Sequence, residues 1–185
     1  MHRNTRWTAV AALIAIVSMA GFAVADFRQI PMVVIHSETQ ITKSPAGVWS
    51  YLTSGKNFAT WCPNWRAARN AKINITRVGD VLDYSDVWGN GGRSVVTYAV
   101  QGRELRVAHD PIKGDYICQA RFLLTKVPGG THVDFWDQYS DSSSTPNLEA
   151  TAQKMQLEAD SSLAALKLGA ESPPPPPVPP ATTKP

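Results

Sequence analysis

The chain has 185 residues, 43% of them hydrophobic, which is enough for one real core and excludes both a chain disordered throughout and a large multidomain assembly. Its formal charge is +3, from 18 basic and 15 acidic side chains. Setting aside Arg3 and Arg6 of an N-terminal leader leaves sixteen against fifteen, a net of plus one, which excludes the strongly basic surface that a nucleic-acid partner requires.

Arg3 and Arg6 precede an apolar run from Ala9 to Val24, and Ala23-Val24-Ala25 puts small residues at the two positions a signal peptidase reads. Residues 1–25 are therefore expected to be an export signal, cleaved before Asp26, giving a periplasmic or secreted protein with no stable membrane insertion. The alternative is an uncleaved anchor, since the run approaches the length that crosses a bilayer. The residue after the expected cleavage site is Asp26 rather than a cysteine, so no lipid anchor is indicated.

Residues 26–170 read as one domain. Met32 to Ile41 alternates Val33, Ile35, Ser37, Thr39 and Ile41 against Val34, His36, Glu38 and Gln40, the period of a strand with two different faces. Ser44-Pro45 then opens a helix with a hydroxyl cap and a first-turn proline, and Val48, Trp49 and Leu52 form its apolar side. Gly55 interrupts it, and a second short helix carries Phe58 and Trp61 before Pro63 ends it. Strands are expected at Ala71 to Val78, Val81 to Trp88, Ser94 to Val100, Glu104 to His109, Asp115 to Val127 and Thr131 to Tyr139, separated by turn residues. With short connections and no intervening helix, they predict an antiparallel meander of about seven strands.

The last helix is expected from about Pro146 to Leu168. Leu148, Ala152, Met155, Ala159, Ser162, Leu163 and Leu166 recur along it as one apolar stripe. At ~1.5 Å per residue it is roughly 35 Å long, and a dozen-residue strand at ~3.4 Å each reaches about 40 Å. A curved sheet closing on one helix of matching length leaves a cavity between them. Residues 171–185, with five consecutive prolines, read as a disordered or semi-rigid tail, either an inert spacer or a docking segment for a protein partner.

The order strand, two short helices, strands and long C-terminal helix resembles the helix-grip domain of the SRPBCC superfamily, which includes START-type lipid carriers, plant pollen-allergen proteins and the polyketide cyclase/dehydrase group. The residues that carry the resemblance are Ile41-Thr42-Lys43-Ser44-Pro45-Ala46-Gly47-Val48-Trp49 at the strand-to-helix step, Phe58 with Trp61-Cys62-Pro63, and Gly79-Asp80 opening a hairpin. The resemblance implies an α+β helix-grip fold with a hydrophobic cavity under the last helix. Because that superfamily holds both carriers and enzymes, it does not settle activity.

Candidate site residues follow from which strand face turns inward. Val133, Phe135, Asp137 and Tyr139 share a face, so Asp137 would be an acid among apolar neighbours, with a raised pKa suited to proton transfer or ligand anchoring; the alternative is a strand-end carboxylate in water or beside an arginine. His109 is a second candidate base. Tyr84, Tyr98, Tyr116, Phe122, Phe135, Tyr139 and Met155 are expected to line the cavity and bind ligand, aromatic residues being equally at home in an ordinary core.

His36, His109 and His132 are scattered, with no pair at helical or short strand spacing, so no metal is expected, and no cofactor. Cys62 and Cys118 could form a disulfide or pack as free thiols. Gly89-Asn90-Gly91-Gly92 precedes a strand, where a hairpin turn explains it better than a phosphate loop, and no Gly-x-Ser-x-Gly elbow occurs. The first functional expectation is an exported, non-catalytic carrier of a small hydrophobic ligand. The alternatives are a cyclase or dehydratase working in the same cavity and an envelope interaction module using the tail.

Overall fold

The computed structural model describes residues 32–62, 65–68, 72–86, 91–111, 116–141 and 147–173, with the backbone alone for 65–68, 86, 111, 116–117 and 141. The expected export signal and the tail beyond Pro173 lie outside the described residues. Seven strands form one antiparallel, curved sheet: β1 (Met32–Ile41), β2 (Trp65–Ala68), β3 (Val81–Asp86), β4 (Gly91–Val100), β5 (Glu104–Pro111), β6 (Tyr116–Val127) and β7 (Gly130–Asp141), in the order β1-β7-β6-β5-β4-β3-β2. Two short helices, α1 (Pro45–Leu52) and α2 (Gly55–Trp61), follow β1, and the long helix α3 (Leu148–Glu171) ends the domain. Among the described residues no helix is long and apolar enough to cross a membrane.

Local chemistry sets the element ends. Ser44 Oγ accepts from the Gly47 amide at 3.3 Å with Pro45 at the first helical position of α1, and the Asn147 side chain accepts from the Ala150 amide at 3.1 Å to start α3. The far end of α3 is tied down by Glu171, whose carboxylate accepts from the Thr42 amide at 2.7 Å and hydroxyl at 2.9 Å. The β6–β7 hairpin turns through Gly129 at φ 80, and a Cβ on Gly130 would collide with the backbone carbonyl of Ile41.

The core joins the inner sheet face to α1 and the C-terminal half of α3. Ile41, Val48, Leu52, Val133 and Leu166 are fully buried there, and α1 packs against α3, β6 and β7. Burying such side chains stabilises the fold by about 1.5–3 kcal/mol each.

The expected strand at Ala71 to Val78 is not one. Its backbone is used elsewhere: the Gly55 amide donates to the Ile73 carbonyl at 3.0 Å and the Ile75 amide to the Thr53 carbonyl at 2.9 Å, so the segment lies along the α1–α2 junction. Its next two amides, of Thr76 and Arg77, both donate to Asp80 Oδ2 at 2.8 Å, which folds the chain into a turn. The sheet reaches seven strands through the four-residue β2 instead. Leu148, expected on the buried stripe, is exposed at the first turn of α3.

A cavity beneath the long helix

Strand pleating places the cavity floor. Leu105, Val107 and His109 on β5, Cys118, Ala120 and Phe122 on β6, and Phe135, Asp137 and Tyr139 on β7 are each spaced by two, so all turn inward. The register sets them side by side: Leu105 opposite Phe122 opposite Phe135, Val107 opposite Ala120 opposite Asp137, His109 opposite Cys118 opposite Tyr139. Phe58 and Trp61 of α2 with Cys62 close one side, Tyr84 of β3 another, and the N-terminal half of α3 forms the roof through Thr151, Lys154, Met155, Glu158, Ala159 and Ser162. The volume of this cavity, which is open to the surface on one side, is about 400 Å³.

The walls are mainly aromatic and aliphatic. Phe58, Trp61, Phe122 and Phe135 form a chain of rings with centroids 4.8, 5.7 and 4.6 Å apart. Among the described residues, the buried indole N–H of Trp61 has no hydrogen-bond partner.

Polar groups gather toward the other ends of β5, β6 and β7. Burial raises the Asp137 carboxyl to about 6, although Cys118 Sγ donates to its Oδ1 at 3.2 Å and pulls the other way. Burial, with Asp137 next to it, raises Cys118 well above the usual thiol range, so it stays a protonated donor. His109 is pushed down to about 4 by burial and is neutral; its Nδ1 lies 2.9 Å from Ser94 Oγ, and Tyr84 meets its ring edge-on at 6.2 Å. Such a site combines an apolar chamber with one carboxyl that changes charge near neutral pH.

Of the residues singled out in the sequence, Tyr84, His109, Phe122, Phe135, Asp137, Tyr139 and Met155 meet around this cavity. Tyr98 does not. A β-bulge between Val96 and Tyr98 puts two residues of β4 opposite one of β5, so Tyr98 is carried to the outer face, where it is 41% exposed and pairs with Arg106, whose guanidinium sits 4.8 Å from its ring. Tyr116 opens β6, and its side chain lies outside the described residues. Cys62 and Cys118 lie on the cavity wall and are not joined in a disulfide. Glu158 had not been singled out; its spacing of three from Met155 and seven from Thr151 is the signal that puts it over the cavity.

No family model matches the chain, and no curated protein does. Solved structures do. Protein CV1439 from Chromobacterium violaceum superposes with a TM-score of 0.61 at 13% identity, covering 76% of this chain and 98% of that one. Ara h 8.0201 superposes with a TM-score of 0.61 at 9% identity, again over 76% and 98%. The chain has a helix-grip fold. DynU16, a protein in the dynemicin biosynthetic locus, gives 0.60 at 14% identity over 77% of this chain and 48% of its own. At such identities the likeness concerns the fold alone, and the site must be read from its own residues.

Proposed function

We propose that the protein is an exported carrier of the SRPBCC type, sheltering one small hydrophobic molecule, a lipid, isoprenoid or polyketide-like compound, between the sheet and α3. The observation that carries this reading is the cavity of about 400 Å³ walled by Phe58, Trp61, Phe122, Phe135 and Met155. Its volume falls in the range of about 300–1,000 Å³ typical of small-molecule sites. Asp137, with Cys118 beside it, gives the ligand one polar end to face. Export is supported by the charge and apolar pattern of residues 1–25, and the proline-rich tail would serve as a spacer or docking segment.

The test is native mass spectrometry of protein purified from its own host, with extraction of whatever is bound, alongside titration with an apolar fluorescent probe. One lipophilic molecule per chain, or saturable one-to-one probe binding, is the expected result. A protein that is empty and binds no probe would overturn the carrier reading.

A second reading, a cyclase or dehydratase, is favoured by the Asp137 carboxyl, which titrates at about 6 and could exchange a proton with a ligand in the cavity. Asp137→Asn separates the two, since it changes no volume. Turnover of a bound compound by the wild type, lost in the variant while binding is kept, is the result expected of an enzyme; binding by both proteins with turnover by neither is the result expected of a carrier.

A further inference from the structure

On the outer face of the sheet, remote in kind from the cavity, the β1–β7 pairing assembles two short strand motifs, His36-x-Glu38 and His132-x-Asp134. Spacing by two puts each pair on one face, opposite the buried Ser37 and Val133. The antiparallel register sets Glu38 directly across from Asp134, with His36 and His132 one step to either side. Two histidines separated by ninety-odd residues thus come to flank one pair of carboxylates.

We propose that His36, Glu38, His132 and Asp134 bind a divalent transition-metal ion of the zinc class. Asp134 Oδ1 lies 3.1 Å from His36 Nε2 and 3.5 Å from His132 Nε2, and His132 Nε2 lies 3.5 Å from Glu38 Oε2. Ligand atoms of His36, Glu38 and Asp134 all fall within 4.8 Å of one another. Zinc bonds to nitrogen and oxygen of about 2.0–2.2 Å place tetrahedral ligands some 3.3–3.6 Å apart; the two His132 separations match such edges, His36–Asp134 is slightly shorter, and a rotamer adjustment of one histidine would bring both imidazoles onto one ion. Two imidazoles and two carboxylates suit zinc better than calcium or magnesium, which take oxygen ligands.

Two further features fit a cation here. Carboxylates directly opposite one another on paired strands repel, and the two histidines are the only basic side chains beside Glu38 and Asp134 among the described residues. The His36 ring is also held in place: it stacks on Trp136 at 4.8 Å, Arg121 lies 4.7 Å over the same indole, and Arg121 is anchored at 2.7 Å to the buried Glu104. Such support fixes the direction of the imidazole nitrogen, as outer-shell partners do at metal centres. The bound ion would clamp the edge strand β1 to β7.

The test is calorimetric titration of the purified, chelator-treated protein with zinc chloride, together with cobalt spectroscopy and melting curves. The expected result is one zinc per chain with a Kd of about 1 μM or below. His36→Asn and His132→Asn should each weaken it by more than about tenfold, and Glu38→Gln, at the most exposed ligand, should do so without touching the fold. Cobalt should give tetrahedral visible bands without a thiolate charge-transfer band, and zinc should raise the melting temperature of the wild type but not of the double histidine variant. Absence of saturable binding would overturn the proposal. So would stoichiometric binding that survives the double histidine variant, including binding lost instead in Cys62→Ala/Cys118→Ala with thiolate bands, which would put the metal in the cavity.

Discussion

The two halves of α3 meet the same sheet in opposite ways. Toward its C-terminus, Leu163 and Leu166 are buried, Gly169 is pressed against the Tyr51 ring, and Glu171 is bonded to Thr42, so the helix is sealed onto α1 and the end of β1. Toward its N-terminus, Thr151, Met155 and Glu158 roof a space that none of the described residues fills, beside a carboxyl and an imidazole that burial has shifted. The sealed half contributes stability and the open half gives some of it up, a division expected where a fold must hold a ligand chamber.

The largest break in this division should come from Leu166→Ala. The side chain is wholly buried, so its loss should cost about 2–5 kcal/mol in urea unfolding while leaving ligand affinity unchanged in the protein that remains folded. The open half should respond to pH instead. Asp137 is raised to about 6 in the fold, so folding binds its proton and stability from this group falls as pH rises from about 4 to 6. His109 is lowered to about 4, so the unfolded chain binds its proton more readily and stability from this group falls as pH drops from about 6.5 to 4. These slopes oppose each other across nearly the same window. Asp137→Asn should therefore stabilise the protein at pH 7, by an amount on the order of 2 kcal/mol, and uncover a rising slope between pH 4 and 6.5; His109→Gln should uncover the falling one. Melting curves across that range would detect either, and two unchanged slopes would remove the argument.

Smaller effects sharpen the same contrast. Gly169→Ala should cost about 1–2 kcal/mol, because the added methyl displaces the Tyr51 phenol from its 2.9 Å hydrogen bond with Thr60 Oγ1; combining it with Tyr51→Ala should remove the clash, measurable as non-additivity in a double-mutant cycle. Met155→Ala, at the half-buried roof, should cost less than about 1 kcal/mol and instead weaken binding of an apolar probe several-fold.

Much of this could be read from residue order. Alternation in Thr131 to Tyr139 told which side chains of β7 face inward, and the stripe from Ala152 to Leu166 told which face of α3 meets the sheet. What the alternation does not carry is where it breaks. The bulge that turns Tyr98 outward is one extra residue in a strand whose composition is ordinary, and the segment around Ile75 has strand-like residues whose amides are taken by Thr53 and Asp80. Separation in sequence hid the cluster of His36 and His132 for another reason: their distance depends on the β1–β7 register, which no local pattern specifies. The raised Asp137 depends likewise on burial by elements distant in sequence, against the opposing pull of Cys118, which comes within reach on the diagonal only after β6 and β7 pair.

β1 lies at one end of the sheet, and α3 is what covers it. Gln156 Nε2 donates to the His36 carbonyl at 3.1 Å and to Ser37 Oγ at 2.6 Å, while Ser37 Oγ donates to Asp160 Oδ1 at 2.6 Å. The helix that roofs the chamber thus also guards the edge of β1, which carries the exposed Met32 and Val34 and has no second strand partner among the described residues. Were the N-terminal half of α3 to lift, as the proposed carrier would require to admit a ligand, that edge would be bared as a template for strand addition. In the proposed carrier, occupancy of the chamber and protection of that edge would then depend on the same helix.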